Sequence, residues 1–169
     1  MSTRTQTHAT FVLEREYQAS PAQVWAAFAD PERKAQWFGG EEFSDVEVSL
    51  DFRVGGTEIN DGRIGDGPLS RFRAVYTDIV AEERIVYSYD MWLDDTHAST
   101  SITTIVLTAT DGGTLLTFTE QGVHLDGVHG PGAEAAAGRE EGTQQLLEQL
   151  ARMLAAVPTA VSLRTGITR

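Results

Sequence analysis

The sequence contains no cysteine. That absence removes disulfides, thiolate nucleophiles and Cys-ligated zinc together. It leaves the compartment open, because disulfide-free proteins occur everywhere. Basic residues are scarce as well: 13 Lys and Arg stand against 25 Asp and Glu, for a net charge of −12. Such a surface repels phosphate backbones, so nucleic acid is not an expected partner. Solubility is the plain meaning of the acidic excess, and attraction of a basic partner is the alternative. No apolar run approaches the ~20 residues that span a bilayer, so no membrane partner is expected. The polar segment 1–10 lacks the apolar core of a signal peptide, and the expectation is a cytoplasmic protein. Two motifs are also missing: a glycine loop followed by Lys-Ser or Lys-Thr for phosphates, and a Gly-x-Ser-x-Gly nucleophile turn.

What is present points to one domain. A chain of 169 residues can bury a real core. That core is expected over about 11–157, with 158–169 as a tail. Residues 10–19 alternate roughly and read as a strand. Ser20-Pro21-Ala22-Gln23 opens a helix, with Ser20 as cap, Pro21 at the first helical position and Gln23 placed for a capping box. Asp30-Pro31 repeats the start signal, and a second short helix is expected to about Phe38, where Gly39-Gly40 ends it.

From Phe43 the period becomes two. Strands are expected over Phe43–Leu50, Thr57–Ile64, Leu69–Val80, Arg84–Leu93, Ser99–Thr110 and Thr114–Gln121. Asn60-Asp61-Gly62 and Gly65-Asp66-Gly67-Pro68 read as turn chemistry, and Asp111-Gly112-Gly113 as a tight hairpin. Residues 122–138 read as a glycine-rich connection. The last element is a helix starting at about Ala133 or Arg139 and running to Val157. Its apolar stripe is Leu146, Leu147, Leu150, Met153, Leu154 and Val157. Segregated strands and helices make an α+β fold. One amphipathic helix cannot cover a flat sheet of about seven strands, so the antiparallel sheet must curve around it. The space between them is then core or cavity.

Alternation assigns faces to that space. Tyr87, Tyr89 and Met91 share one face of their strand, as do Phe72, Ala74 and Tyr76, then Thr103, Ile105 and Leu107, and finally Leu116, Phe118 and Glu120. These apolar sets should face the helix. Tyr76, Tyr87, Tyr89 and Glu120 then carry polar atoms into an apolar space, the usual design of a small-molecule site. The candidate ligand-binding set is Trp37, Phe43, Phe72, Tyr76, Tyr87, Tyr89, Met91, Thr103, Phe118, Glu120, Gly142 and Leu146. Gly138 and Gly142, in line with Leu146, leave room between helix and sheet. Trp37 and Phe43 close one end, and Trp25 and Phe28 read as ordinary core.

Glu120 is the candidate catalytic residue. A carboxyl in an apolar interior has a raised pKa and can act as acid or base. The alternatives are a salt bridge to an arginine such as Arg73, or a bulge that reverses its face. His124, Asp126 and His129 include competent metal donors, but no third firm ligand accompanies them. No metal and no other cofactor is expected, and a gate over the cavity is preferred for that segment. His8 and His97 read as surface residues.

The order of elements, with its local motifs, resembles the SRPBCC (START-like) superfamily. More narrowly it resembles the family named after the C-terminal domain of the activator of Hsp90 ATPase. Ser20-Pro21-Ala22-Gln23-Val24-Trp25 is similar to that family's helix start. Asp30-Pro31-Glu32 through Trp37-Phe38 resembles its second helix, and Gly55-Gly56 its glycine pair. Asp78-Ile79 through Arg84-Ile85-Val86-Tyr87, with Gly112-Gly113-Thr114, resembles its central hairpins. The likeness implies a helix-grip fold with a ligand cavity, on a plan that hosts binders, transporters, cyclases and cochaperones. Two positions depart from the pattern: Gly142-Thr143 where the family often has Gly-Trp, and Glu120 where it often has His. The expected partner is a small hydrophobic or aromatic ligand. A small-molecule enzyme of cyclase, dehydratase or hydrolase type, using Glu120 with a tyrosine, is the alternative. A chaperone-activator type of interaction module is the third, and its chaperone partner is the weaker expectation. A homodimer is compatible with the sequence and is not fixed by it.

Overall fold

The computed structural model describes residues 4–39, 43–125 and 130–156. The described chain runs β1 (Gln6–Tyr17), α1 (Pro21–Ala29), α2 (Pro31–Lys34), β2 (Phe43–Leu50), β3 (Thr57–Ile64), β4 (Leu69–Val80), β5 (Arg84–Leu93), β6 (Thr96–Thr110), β7 (Gly113–Leu125) and α3 (Gly132–Ala156). The seven strands form one antiparallel sheet in the order β1-β7-β6-β5-β4-β3-β2. The first strand therefore closes against the last, and β2 lies at the far edge.

Local chemistry explains the helix starts. Ser20 Oγ accepts from the Gln23 amide at 3.3 Å, and Gln23 Oε1 accepts from the Ser20 amide at 2.9 Å, completing the capping box. Asp30 Oδ1 takes the amides of Glu32 and Arg33 at the head of α2. That second helix is shorter than its sequence pattern predicts. It ends at Lys34, and residues 35–38 continue as turns that turn Trp37 and Phe38 inward.

Two other expectations are corrected by the strands. Asn60-Asp61-Gly62 is not a turn but the middle of β3, paired with Phe72, Arg71 and Ser70 of β4. A Cβ at position 62 would sit 2.5 Å from the Phe43 ring and force that ring to move. Gly122–Leu125 belongs to β7 and not to a connection, because these residues pair with Gln6–Ala9 of β1. The last helix starts at Gly132, in line with the earlier of the two expected starts. His97 is half-buried, not a surface residue: its Nε2 lies 3.2 Å from Asp90 Oδ1, and its ring packs on Trp92. His8 is exposed, as read from the sequence.

The inner face of the sheet meets α3 and α1 in one apolar cluster. Leu147 and Leu150 of the helix stripe are fully buried there, with Ile85, Ile105, Leu116 and Val24. Tyr17 donates from its hydroxyl to the Leu147 carbonyl at 3.0 Å, pinning the helix to β1. Helix and sheet touch mainly along this β1 side. Towards β3 and β4 they separate.

Candidate functional site

The separation leaves a cavity of about 680 Å³, within the range of small-molecule sites. Its walls come from period-two alternation on β3, β4, β5 and β7 and from one side of α3. Phe72, Tyr76, Tyr87, Tyr89, Met91, Phe118 and Glu120 all reach it from the sheet. Trp37 and Phe43 line it from outside the central strands, and Gly142 and Leu146 from the helix. Thr103 does not reach the wall. It is fully buried on β6, opposite Tyr87 and Glu120 in the strand register. Phe28, expected as plain core, also lines the space. The exposed lining residues Ile64, Gln145 and Gly138 mark the mouth.

The wall is mainly aromatic and its rings hold one another in place. Phe28 and Trp37 centroids are 5.0 Å apart, Phe38 and Phe72 5.6 Å, and Phe72 and Tyr89 4.8 Å. Tyr87 stands between Tyr76 and Tyr89, at 5.7 and 5.9 Å. Trp37 is fixed by donation from Nε1 to the Ala27 carbonyl at 2.8 Å.

Two polar clusters interrupt the apolar surface. The first joins Glu120, Tyr89 and Arg139. Tyr89 donates to Glu120 Oε1 at 2.7 Å and accepts from Arg139 Nη1, whose distance to Glu120 Oε1 is 3.8 Å. Arg139 Nη2 also donates to Ser99 Oγ at 3.2 Å. The arginine beside Glu120 is thus Arg139, not Arg73. Arg73 makes a bidentate pair with Asp61 on the outer face. Burial pushes the Glu120 carboxyl above its ordinary range, and Arg139 with the hydroxyls of Tyr89, Ser101 and Thr103 opposes that shift. The Ser101 and Thr103 hydroxyls face this carboxylate without completing a well-formed hydrogen bond.

The second cluster was not read from the sequence. Lys34 Nζ lies 2.6 Å from Glu58 Oε2, and the Tyr76 hydroxyl donates to the same oxygen. Glu58 is 2% exposed and Lys34 8%. Lys34 also lies 4.8 Å from the Phe38 ring centroid. Burial pulls its pKa down, while Glu58 supports the charge. Lys34 and Tyr76 both touch the cavity.

Among the described residues no group of three or more His, Asp and Glu could hold a metal ion. His124 is buried on β7, and burial with nearby Arg139 lowers its pKa. Asp126 and His129, and the gate read over that segment, lie outside the described residues.

Glu120 gives a pH-dependent prediction. Its folded pKa is raised, so the stability it contributes is full below the ordinary value of 4.5 and is lost as pH rises through the folded value. Glu120→Gln cannot ionise. Its stability relative to the parent protein should therefore rise as pH climbs from the ordinary value of 4.5 to the raised folded-state value. Urea midpoints across that range measure it; a flat difference would mean that the carboxyl ionises at no cost.

A second prediction concerns the small residues of α3. A Cβ on Gly138 would meet nothing within 4 Å. Gly138→Ala should stabilise the helix by about 1 kcal/mol, read as a raised melting temperature.

A curved antiparallel sheet that grips a terminal helix across an aromatic cavity defines a helix-grip, START-like protein. The sequence model described as "Activator of Hsp90 ATPase homolog 1-like protein" matches residues 18–155. The chain belongs to that family. Two solved structures are similar over nearly their whole length. A protein from Rhizobium leguminosarum is 41% identical, with a TM-score of 0.84 over 91% of this chain and 99% of that one. Mll3558 from Rhizobium loti is 45% identical, with a TM-score of 0.80 over 89% of this chain and 99% of that one. DynU16, from the dynemicin biosynthetic locus, shares the fold at 23% identity, with a TM-score of 0.64 over 87% of this chain and 47% of its own. No curated protein matches the sequence.

Proposed function

We propose that this protein binds a small hydrophobic or aromatic molecule between its sheet and α3. The observation that carries this reading is the 680 Å³ space walled by aromatic rings, with its charged groups confined to two clusters. An apolar ligand gains free energy by leaving water for such a wall. The rings are already locked by mutual contacts and hydrogen bonds, so little side-chain entropy is lost on binding.

Trp37 lies in the wall and supplies the probe. A library of polycyclic aromatics, sterols and fatty acids is titrated against its fluorescence, with thermal shift in parallel. A true ligand at a hundred times its Kd adds about 2.7 kcal/mol of stability. Saturable quenching with a raised melting temperature supports the reading. A library that produces neither would sink it.

One observation favours a second reading, an enzyme of cyclase or dehydratase type. The Tyr89 hydroxyl stands between Arg139 and Glu120, in reach of a bound molecule and of a carboxyl with a raised pKa. The location of DynU16 in a biosynthetic locus is compatible with it. Turnover abolished in Glu120→Gln, with binding retained, would decide for the enzyme.

A further inference from the structure

The charged groups at the cavity are matched one to one. Lys34 is held by Glu58 at 2.6 Å, and Arg139 stands 3.8 Å from Glu120. Two cations therefore meet two carboxylates: Lys34, Arg139 and Glu120 line the space, and Glu58 stands behind Lys34. The tyrosines at the two ends are committed as well. Tyr76 gives its proton to Glu58, and Tyr89 gives its proton to Glu120 while accepting from Arg139. What remains for a ligand is uncharged. Asn60, Ser70 and Gln145 line the space and engage no side-chain partner among the described residues. The Tyr87 hydroxyl lies between the two clusters, beside the hydroxyl of Thr103 and near Tyr89, Glu120 and Glu58.

A charged ligand would fare badly here. Its carboxylate or ammonium would leave water and find each opposite charge already neutralised at close range, which burial makes costly. A neutral hydroxyl or carbonyl needs one hydrogen bond for its desolvation, and the free hydroxyls and amides supply it. We infer that, if the cavity binds a small molecule as proposed above, that molecule is an uncharged aromatic bearing hydroxyl or carbonyl groups, and that the paired charges act as a filter against acids and amines.

Three probes of one shape test this by calorimetric titration at neutral pH: 9-phenanthrol, phenanthrene-9-carboxylate and 9-(aminomethyl)phenanthrene. The neutral phenol should bind at least tenfold tighter than either ion. In Glu120→Gln the Arg139 charge is unmatched, and the ratio of carboxylate to phenol affinity should rise at least tenfold. In Arg139→Gln, a more exposed position, the ratio of ammonium to phenol affinity should rise instead. Both variants are first checked for native melting, and either one alone suffices. A carboxylate that binds the parent protein as tightly as the phenol overturns the charge filter and leaves small-molecule binding standing. Ratios that stay unchanged in the folded variants overturn it too. Failure of all three probes to bind overturns both this inference and the binding reading on this scaffold.

Discussion

Glu58→Ala is expected to destabilise the protein by about 3–5 kcal/mol, the usual loss when one partner of a buried ion pair is removed. The substitution strands Lys34 among Phe38, Tyr76 and the cavity wall, with no carboxylate in contact. It also deprives the Tyr76 hydroxyl of its acceptor. The pH dependence of the loss is a stricter test than its size. The Lys34 pKa is already lowered by burial, and Glu58 is the group that supports its charge. Without Glu58 the folded-state pKa falls further. The folded state then binds fewer protons than the unfolded state from neutral pH up to the ordinary lysine value, so stability rises with pH in that window. The deficit of Glu58→Ala should shrink as pH rises on the alkaline side, and stop shrinking where Lys34 of the parent, itself held below the ordinary lysine value, loses its proton. The combined variant Lys34→Met, Glu58→Leu, Tyr76→Phe removes every polar group of the cluster, and should recover to within about 1 kcal/mol of the parent. Denaturant unfolding measures all of these. A Glu58→Ala protein as stable as the parent would show that Lys34 reaches water.

This cluster also shows where sequence reasoning stops. Tyr76, Tyr87, Tyr89 and Met91 were legible because strand alternation placed them among apolar neighbours with one inward direction. On β3 the inward set is Glu58, Asn60, Gly62 and Ile64, and the outward set includes Ile59. Hydrophobicity gives no contrast between those faces. Only the pairing of Glu58 with Ala74 and of Asn60 with Phe72 turns the set inward, and such long-range register is not written in any local window. Lys34 carries the same ambiguity, since a lysine in a short polar helix ordinarily faces solvent. Arg139 was within reach. It lies one turn before Thr143 and in line with Leu146 and Leu150, so extending the helix stripe backwards places it at the cavity. The strand pattern likewise runs on through Glu120 and Gly122 to His124, but a glycine in the sequence reads as the end of a strand. Its true reason is contact: a Cβ at position 122 would sit 2.4 Å from Ser101 Oγ. The resemblance to the family carried the overall plan because it rests on helix starts and hairpins, which are local. The charged residues at the cavity are particular to this chain's register.

Gly142→Phe is expected to abolish ligand binding, by a hundredfold or more in Kd, while the protein melts no lower than the parent. A Cβ at Gly142 meets nothing within 4 Å, and the residue lies on the cavity wall. Side chains on a helix lean towards its N-terminus, so the ring would extend over the turn that carries Gly138 and Arg139. There it would occupy space opposite Tyr89 that the ligand needs. Filling an empty apolar space adds dispersion contacts and removes aromatic surface from water. Phenylalanine is also a better helix former than glycine, by a few tenths of a kcal/mol. Stability and binding should therefore move in opposite directions, which general damage to the fold cannot produce. The series Gly142→Ala, Gly142→Leu and Gly142→Phe makes the test graded, with affinity falling as side-chain volume rises and the melting temperature holding or climbing. If Gly142→Phe binds like the parent, the ligand does not lie between helix and sheet. If instead the variant unfolds, the space beside Gly142 is already filled.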